Sequence, residues 1–315
     1  MWIVGSFLVA CFVVCGPCRA FAPPCWQRHF PPALHSTKNG AENVECLEVV
    51  SGPSLTVIIP AYNEVDRIGT TLSSYLSFLQ SSNRWKHGKI LVVDDGSEDG
   101  TFDLVKKWNV GCVRLPTNQG KGSAVAFGIE HVASSQEQAG IILVADADGS
   151  GEISCLDACF DKLESTLEVH SLPIDDAWNK PALVVGNRGY QGVSLARAVL
   201  RWGFRTAVSL ICGELGVQDS QCGFKLMTLA AARLLYSELN LQGWTHDVEV
   251  LYRARLLGIP VGEQTVWWED KDGSKLVTSP GGTIGVSMTM LVEILRMRIE
   301  YELGRWELPS PARQL

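Results

Sequence analysis

What this chain of 315 residues lacks narrows the field first. It has no excess of positive charge. Its 27 Lys and Arg stand against 34 Asp and Glu, a formal net charge of -7, which excludes a generally basic nucleic-acid surface. Any anionic partner therefore has to be held by a local cluster. It has no pair of Cys-x-x-Cys motifs, so its ten cysteines spell no zinc site. Cys11, Cys15, Cys18 and Cys25 crowd the start and the others are scattered. Cys15-Gly16-Pro17-Cys18 has the spelling of a redox motif, but it ends an apolar leader and lacks the strand and helix that such chemistry needs around it. There is no internal repeat or low-complexity tract. Nor is hydrophobicity scarce: at 46% it fills a substantial core and excludes general disorder.

The leader is also short of something. Trp2 to Cys15 is apolar or small throughout, yet falls below the roughly 20 residues that span a bilayer comfortably. No Lys or Arg precedes it, while Arg19, Arg28 and Lys38 follow. Left in place, it would put the bulk of the chain in the cytosol. Ala20-Phe21-Ala22 is a small-x-small pattern at which it could instead be cleaved, which would send the chain into the secretory route. The Pro-rich stretch from 21 to 40 reads as a linker, or as the second half of a bipartite presequence of the kind used by secondary plastids. The expected division is a signal or anchor at 1–22, a linker at 23–53, a folded domain at 54–306 and a tail at 307–315.

From residue 54 the chain alternates. Leu55–Ile59, Lys89–Val93, Ile141–Ala145 and Ala182–Gly186 are short β-branched runs suited to strands buried on both faces. Val65 to Gln80 places Ile68, Leu72, Leu76 and Leu79 on one helical face, and Gly122 to Val132 reads as another helix. This predicts an α/β domain with a mostly parallel sheet, in which ligands sit beyond the carboxyl ends of the strands.

The polar residues at those ends carry the chemistry. Pro60-Ala-Tyr-Asn-Glu64 follows the first run and would also serve as a plain turn. Asp94 and Asp95 follow the second. One would suffice as a helix cap, whereas two adjacent carboxylates call for a hydrogen-bond donor or a cation, such as a base N–H or ribose hydroxyls. Asn118-Gln-Gly-Lys-Gly-Ser123 opens a helix whose start favours anions, either a phosphate or nucleotide or simply a turn, and it is not a Walker loop. Asp146-Ala-Asp148 follows the third run. Extended to Asp157, the stretch imitates a calcium loop, but a strand-like run precedes it where an EF-hand needs a helix. Two carboxylates one residue apart at a strand end point to one side, where they can hold Mg²⁺ or Mn²⁺ and leave coordination sites for diphosphate oxygens; capping the helix near Ser154 is the plainer use.

Four motifs in order, Val57-Ile-Ile-Pro-Ala-Tyr-Asn-Glu64, Val92-Val-Asp-Asp-Gly-Ser97, Asn118-x-Gly-Lys-Gly122 and Ala145-Asp-Ala-Asp-Gly149, resemble family-2 inverting glycosyltransferases with the A-type glycosyltransferase fold. Gly186-Asn-Arg188, Gln218-Asp-Ser-Gln-Cys-Gly-Phe-Lys-Leu226, Trp244-Thr-His-Asp-Val-Glu-Val-Leu251 and Gly273-Ser-Lys-Leu276 are similar to the branch that glucosylates dolichyl phosphate. The resemblance runs from about Leu55 to Trp306. It implies transfer from UDP-glucose to dolichyl phosphate at the cytosolic face of the endoplasmic reticulum membrane, giving the lipid-linked glucose donor for N-glycosylation. Pro60, Tyr62, Glu64, Asp94 and Asp95 would bind the donor with Gly120 and Lys121. Asp146 and Asp148 would hold Mg²⁺ or Mn²⁺, with Asp148 counted as catalytic. Arg188, Arg197, Arg201 and Lys225 would grip the acceptor phosphate. Asp247 stands where many relatives have a base, although a phosphate monoester is already largely ionised, its second pKa being about 6. It would act as base or orient a neighbouring group. A sister enzyme using GDP-mannose is the alternative within the family, and a calcium- or lipid-binding module the alternative outside it. Leu195 to Val217 and Thr283 to Leu303 mix arginines with apolar residues. They would lie in a membrane interface or pack on the sheet.

Overall fold

The β-branched runs become strands because each side chain finds a buried partner on both faces of the sheet. They are β1 (Ser54–Ala61), β2 (Lys89–Asp94), β4 (Gly140–Val144) and β5 (Leu183–Asn187), with Val57, Ile58, Ile59, Ile141, Ile142, Leu143 and Val184 all fully buried. β3 (Gly111–Arg114), β6 (Lys225–Thr228) and β7 (Val261–Thr265) complete a seven-stranded sheet in the order β3-β2-β1-β4-β6-β5-β7. β6 runs antiparallel to both its neighbours and every other pairing is parallel. The computed structural model describes residues 53–135, 140–168, 177–189, 195–269, 271 and 282–309. The leader, the linker up to residue 52 and the Gly273–Leu276 motif lie outside the described residues, as does the side chain of Arg197.

The chain moves outward from β1 through β2 to β3, then returns to place β4 on the other side of β1. That reversal opens a crevice at the carboxyl ends of β1 and β4, the usual ligand position in such sheets. α1 (Ile68–Ser81) buries Ile68, Leu72, Tyr75 and Leu79, three or four residues apart. α2 (Thr101–Val105) is a short turn before β3, α3 (Lys121–Ser135) packs over β1 and β2, and α4 (Leu156–Leu167) covers β5 and β7. α5 (Leu195–Cys212) carries the arginine row, α6 (Leu229–Tyr236) is capped by the Thr228 hydroxyl accepting from the Ala231 N–H at 3.2 Å, and α7 (His246–Leu257) begins at the crevice.

α7 is unusual in burying charge. Arg253 and Glu249, one turn apart and both fully buried, pair at 2.8 Å. Arg253 also donates to the carbonyls of Leu235, Ser237 and Glu238 and to the Tyr301 hydroxyl. This clamp ties the end of α6 and the helix α8 (Gly282–Glu302) to α7, and so fixes where the start of α7 points. α8 is apolar on two faces. Met290, Ile294 and Met297 are buried, while Met288, Val292, Leu295, Ile299 and Leu303 make an exposed stripe on the opposite side. Among the described residues no helix is long and apolar enough to cross a membrane.

Candidate active site

At the ends of β1 and β2 the two loops are zipped together. Asn63 takes a left-handed conformation (φ 51°), its N–H donating to Ser97 Oγ at 2.9 Å and its Oδ1 accepting from the Glu98 N–H at 2.8 Å. Pro60 is buried beside Val93, and Tyr62 is half-buried at the strand exit. Both Glu64 oxygens are taken by Arg67 at 2.7 Å. Asp94 is 0% exposed; its Oδ2 pairs with Arg114 Nε at 3.0 Å and accepts from the Ser97 N–H, while Oδ1 is a buried acceptor with no donor. Asp95 has the opposite character. It accepts from the N–H groups of Gln119 and Gly120, both at 2.8 Å, and burial raises its carboxyl above the usual range despite those bonds. The anion held at this loop is thus the protein's own Asp95. Asp95 and Gly120, expected at the donor, meet each other and shape the loop that carries Lys121.

β4 stops at Val144, so Asp146 and Asp148 lie in a turn, where the strand period expected from the sequence no longer applies. Each carboxylate has a cation of its own. Asp146 meets Lys121 Nζ at 2.5 Å and rests against Gly223, where any Cβ would overlap its carboxylate. Asp148 accepts from the Ser150 N–H at 2.9 Å and faces Arg67, 3.7 Å away. The turn is pinned from below, because Thr71 Oγ1 donates to the Ala147 carbonyl and Tyr75 Oη to that of Gly151, each at 2.8 Å. Neither aspartate caps α4. The calcium-loop reading fails here: a strand enters the turn, and Asp157 instead accepts from the Trp85 indole at 2.8 Å.

A divalent ion fits the Asp146–Asp148 turn. Both carboxylates are partly exposed, and the glycine at 223 leaves room for one of them to lie flat. No group of three or more ligating side chains is found among the described residues. The ion would therefore draw its other oxygens from a diphosphate and water, as Mg²⁺ and Mn²⁺ do readily.

Lys121 is the hub. Burial opposes its charge, but Asp146, Asp247 and Asp148 together hold the ammonium above the usual lysine range. Its Nζ lies 5.7 Å from the ring of Trp244, an exposed indole at the mouth of the site. Across from it, Arg188 at the end of β5 is gripped by Asp219 through two 2.7 Å bonds and stacks near Trp268. That bidentate pair keeps the guanidinium charged against its burial and fixes its plane. Arg188, Arg201, Phe204, Arg205 and Gln218 line one cleft. Lys225 is more deeply placed than the sequence suggested. It is 1% exposed, donating to Asp247 Oδ1 at 2.6 Å and to the Cys222 carbonyl, which uses two of its three N–H donors. Asp247, despite its burial, is held well below the usual carboxylate range by His246, which is charged in the acid where the carboxyl takes up its proton, and by Lys225 and Lys121. A carboxyl so stabilised as an anion is a poor proton acceptor and a firm counter-ion.

Arg67, Arg114, Asp219 and His246 are the members that sequence reasoning missed. Asp219 stood inside a quoted motif without a role. His246 likewise stood inside a quoted motif without a role, and Arg67 and Arg114 had no signal beyond their type, because their contacts with Asp148 and Asp94 join distant parts of the chain.

Known proteins place the chain in a family. Residues 56–173 match the family described as Glycosyl transferase family 2. The chain is 33% identical over 301 residues to a dolichyl-phosphate beta-glucosyltransferase of Dictyostelium discoideum, covering 90% of this chain and 83% of that one. It is 34% identical over 328 aligned positions to the human protein of that name, covering 97% and 95%. Among solved structures, glucosyl-3-phosphoglycerate synthase of Mycobacterium tuberculosis, crystallised with Mn²⁺ and UDP-glucose, shares the fold with a TM-score of 0.54 at 17% identity, over 87% of this chain and 86% of that one. The chain belongs to the dolichyl-phosphate beta-glucosyltransferases, a branch of glycosyl transferase family 2.

Proposed function

We infer that this protein transfers glucose from UDP-glucose to dolichyl phosphate with inversion, releasing UDP. The observation that carries the reading is the convergence around Lys121 of Asp146, Asp148 and Asp247, with Arg188 close enough to feel Asp146. It sets a cationic acceptor cleft against a carboxylate turn. On this reading Asp94 Oδ1 takes the N–H of the base, the donor it now lacks. Asp146 and Asp148 would hold Mg²⁺ or Mn²⁺, which neutralises charge on the departing diphosphate. Lys121 adds a fixed positive charge beside it. Arg188, oriented by Asp219, and Arg201 on α5 grip the acceptor phosphate, with Arg197 on the same helix and the free N–H of Lys225 as further contacts. The phosphate oxygen then attacks the sugar carbon from the face opposite UDP. Because the acceptor is already ionised near neutral pH, positioning and charge stabilisation carry the catalysis, and Asp247 serves to hold Lys225.

The test is transfer of label into lipid by the purified protein with Mn²⁺ and dolichyl phosphate, from UDP-glucose or GDP-mannose in separate reactions. Transfer from UDP-glucose alone is expected. Transfer from GDP-mannose alone would move the assignment to the sister activity, since a guanine N–H would also satisfy Asp94.

The acceptor also gives the exposed stripe of α8 a partner. Trp202 and Leu210 on α5, which packs against α8, are 62% and 80% exposed; Arg201 and Arg205 lie near them in sequence, and Arg296 adjoins Leu295 on α8. Apolar side chains with arginines at their margin suit a bilayer interface, which the expected location makes that of the endoplasmic reticulum. Replacing Val292 and Leu295 by Ser should slow transfer to long-chain dolichyl phosphate in vesicles by about tenfold, from the apolar area withdrawn. Transfer to a short, water-soluble polyprenyl phosphate should be unchanged. Equal rates on both acceptors would remove the membrane from this face.

A further inference from the structure

His246 is fully buried at the start of α7, and its ring stands between two oxygen acceptors. Nδ1 lies 2.8 Å from the carbonyl of Gly243, and Nε2 lies 3.2 Å from Asp247 Oδ1 at an angle that makes no hydrogen bond. A neutral imidazole has one N–H and can serve only one of these. The shorter contact takes it, leaving Nε2 as a bare lone pair beside a carboxylate. Nε2 and the nearby Tyr236 hydroxyl are two of the three buried side-chain polar atoms without a partner among the described residues. The two rings are 6.2 Å apart. The imidazole cannot retreat, since a Cβ on Gly122 of α3 would already stand within 2.7 Å of the His246 Cβ.

The charged groups around the ring are Asp247 on its own helix, Lys225 on β6 and Lys121 on α3, with the neutral Tyr236 on α6. Asp247 already belongs to Lys225. We propose that His246 is a positioning residue for that pair: neutral, it leaves the Asp247 carboxylate to Lys225, and as an imidazolium it takes the carboxylate for itself and releases Lys225 from its place beside the acceptor. Burial, ahead of every other influence, keeps the ring neutral below the ordinary value of 6.5, and the two lysines act in the same sense. The loosening therefore sets in on the acid side of 6.5 and is absent above it. It appears as weaker acceptor binding, with the donor site unaffected.

The inference rests on the transferase reading only for its activity readout, and wild-type transfer at pH 7.5 tests that reading separately. The acceptor's own second ionisation falls near pH 6, so the measurement is a ratio. KM for the phosphate acceptor is followed from pH 7.5 to 5 in the wild type, in His246→Asn, which keeps a donor for Gly243 and does not titrate, and in His246→Phe. The wild-type KM should rise about fivefold more than that of either variant, while the KM for UDP-glucose moves alike in all three. The ¹⁵N spectrum of the wild-type imidazole should show the Nδ1–H tautomer at pH 7.5 and the imidazolium appearing on the acid side of 6.5, in step with the rise in KM. Parallel KM profiles overturn the proposal. So does a ring that stays neutral across the pH range in which the wild-type acceptor KM rises, which decides the matter even where both variants fail to fold.

Discussion

Asp148→Ala is expected to lower transfer by roughly a thousandfold while leaving the protein folded. The size follows from what the carboxylate would do: stabilisation of a departing diphosphate through a divalent ion is worth several kcal/mol, and about 4 kcal/mol is three powers of ten in rate. The small structural cost follows from what the carboxylate touches. Its contacts are one backbone N–H and a guanidinium 3.7 Å away, on a side chain that is 24% exposed, so the loss in stability is about 1 kcal/mol. Thr71 and Tyr75 hold the turn through the carbonyls of Ala147 and Gly151, neither of which the substitution alters. Raising Mn²⁺ should restore part of the rate, because Asp146 remains. The control is Asp157→Ala. It removes the twelfth position of the calcium-loop spelling, yet among the described residues the polar partners of Asp157 are Trp85 and Arg84, neither of them part of the site. Transfer unchanged in Asp157→Ala and lost in Asp148→Ala would assign the motif to diphosphate chemistry. The reverse pattern would revive the calcium loop.

The fate of that motif shows what could be read in advance. The strands that precede the catalytic carboxylates are β1, β2 and β4, each buried on both faces, and such strands leave a run of β-branched residues in the sequence. β3, β6 and β7 left no such mark. β3 and β7 are the edges of the sheet, short and only partly buried, so their composition is not constrained to be apolar. β6 is the reversed strand, four residues long, and it opens on Lys225, a residue whose type argues for the surface. Only the partner on a distant helix explains how that lysine can be buried.

The same limit applies to the site. Carboxylates at strand ends are legible, because the fold fixes where ligands bind and the residues follow a recognisable run. Which carboxylate faces the ligand and which faces the protein is not. Asp94 and Asp95 are adjacent in the chain, but one keeps an unsatisfied oxygen while the other is saturated by the amides of Gln119 and Gly120. Their difference is made by a loop more than twenty residues away. Likewise Arg188 was readable as a phosphate ligand, but its orientation depends on Asp219, which approaches from the loop before β6.

Breaking the Lys225–Asp247 pair should give a large loss of stability. Asp247→Ala would leave an ammonium buried at 1% exposure with only the Cys222 carbonyl for company, and stranding one partner of a buried pair costs about 3–5 kcal/mol. For a domain of this size that is a fall in melting temperature of about 10 °C. Joining it to Lys225→Met should recover most of the loss, since a neutral pair has no charge to desolvate, and the recovered amount is the coupling between the two residues. Acid provides the second check. Because the folded pKa of Asp247 is depressed, its contribution is complete above the unfolded value near 3.8 and is lost only as pH falls through the lower, folded one. The melting difference between wild type and Asp247→Ala should therefore persist from pH 8 to about 5 and close only in stronger acid. Both the single and the double variant should lack transfer, because the single variant leaves the Lys225 ammonium without the carboxylate that positions it and the double variant has no ammonium at the acceptor. A stable, active double variant would show that the pair supports the fold alone. A difference that closes near pH 6 instead would mean that Asp247 is not the counter-ion of Lys225 but a carboxyl free to take up a proton, which is the property of a base.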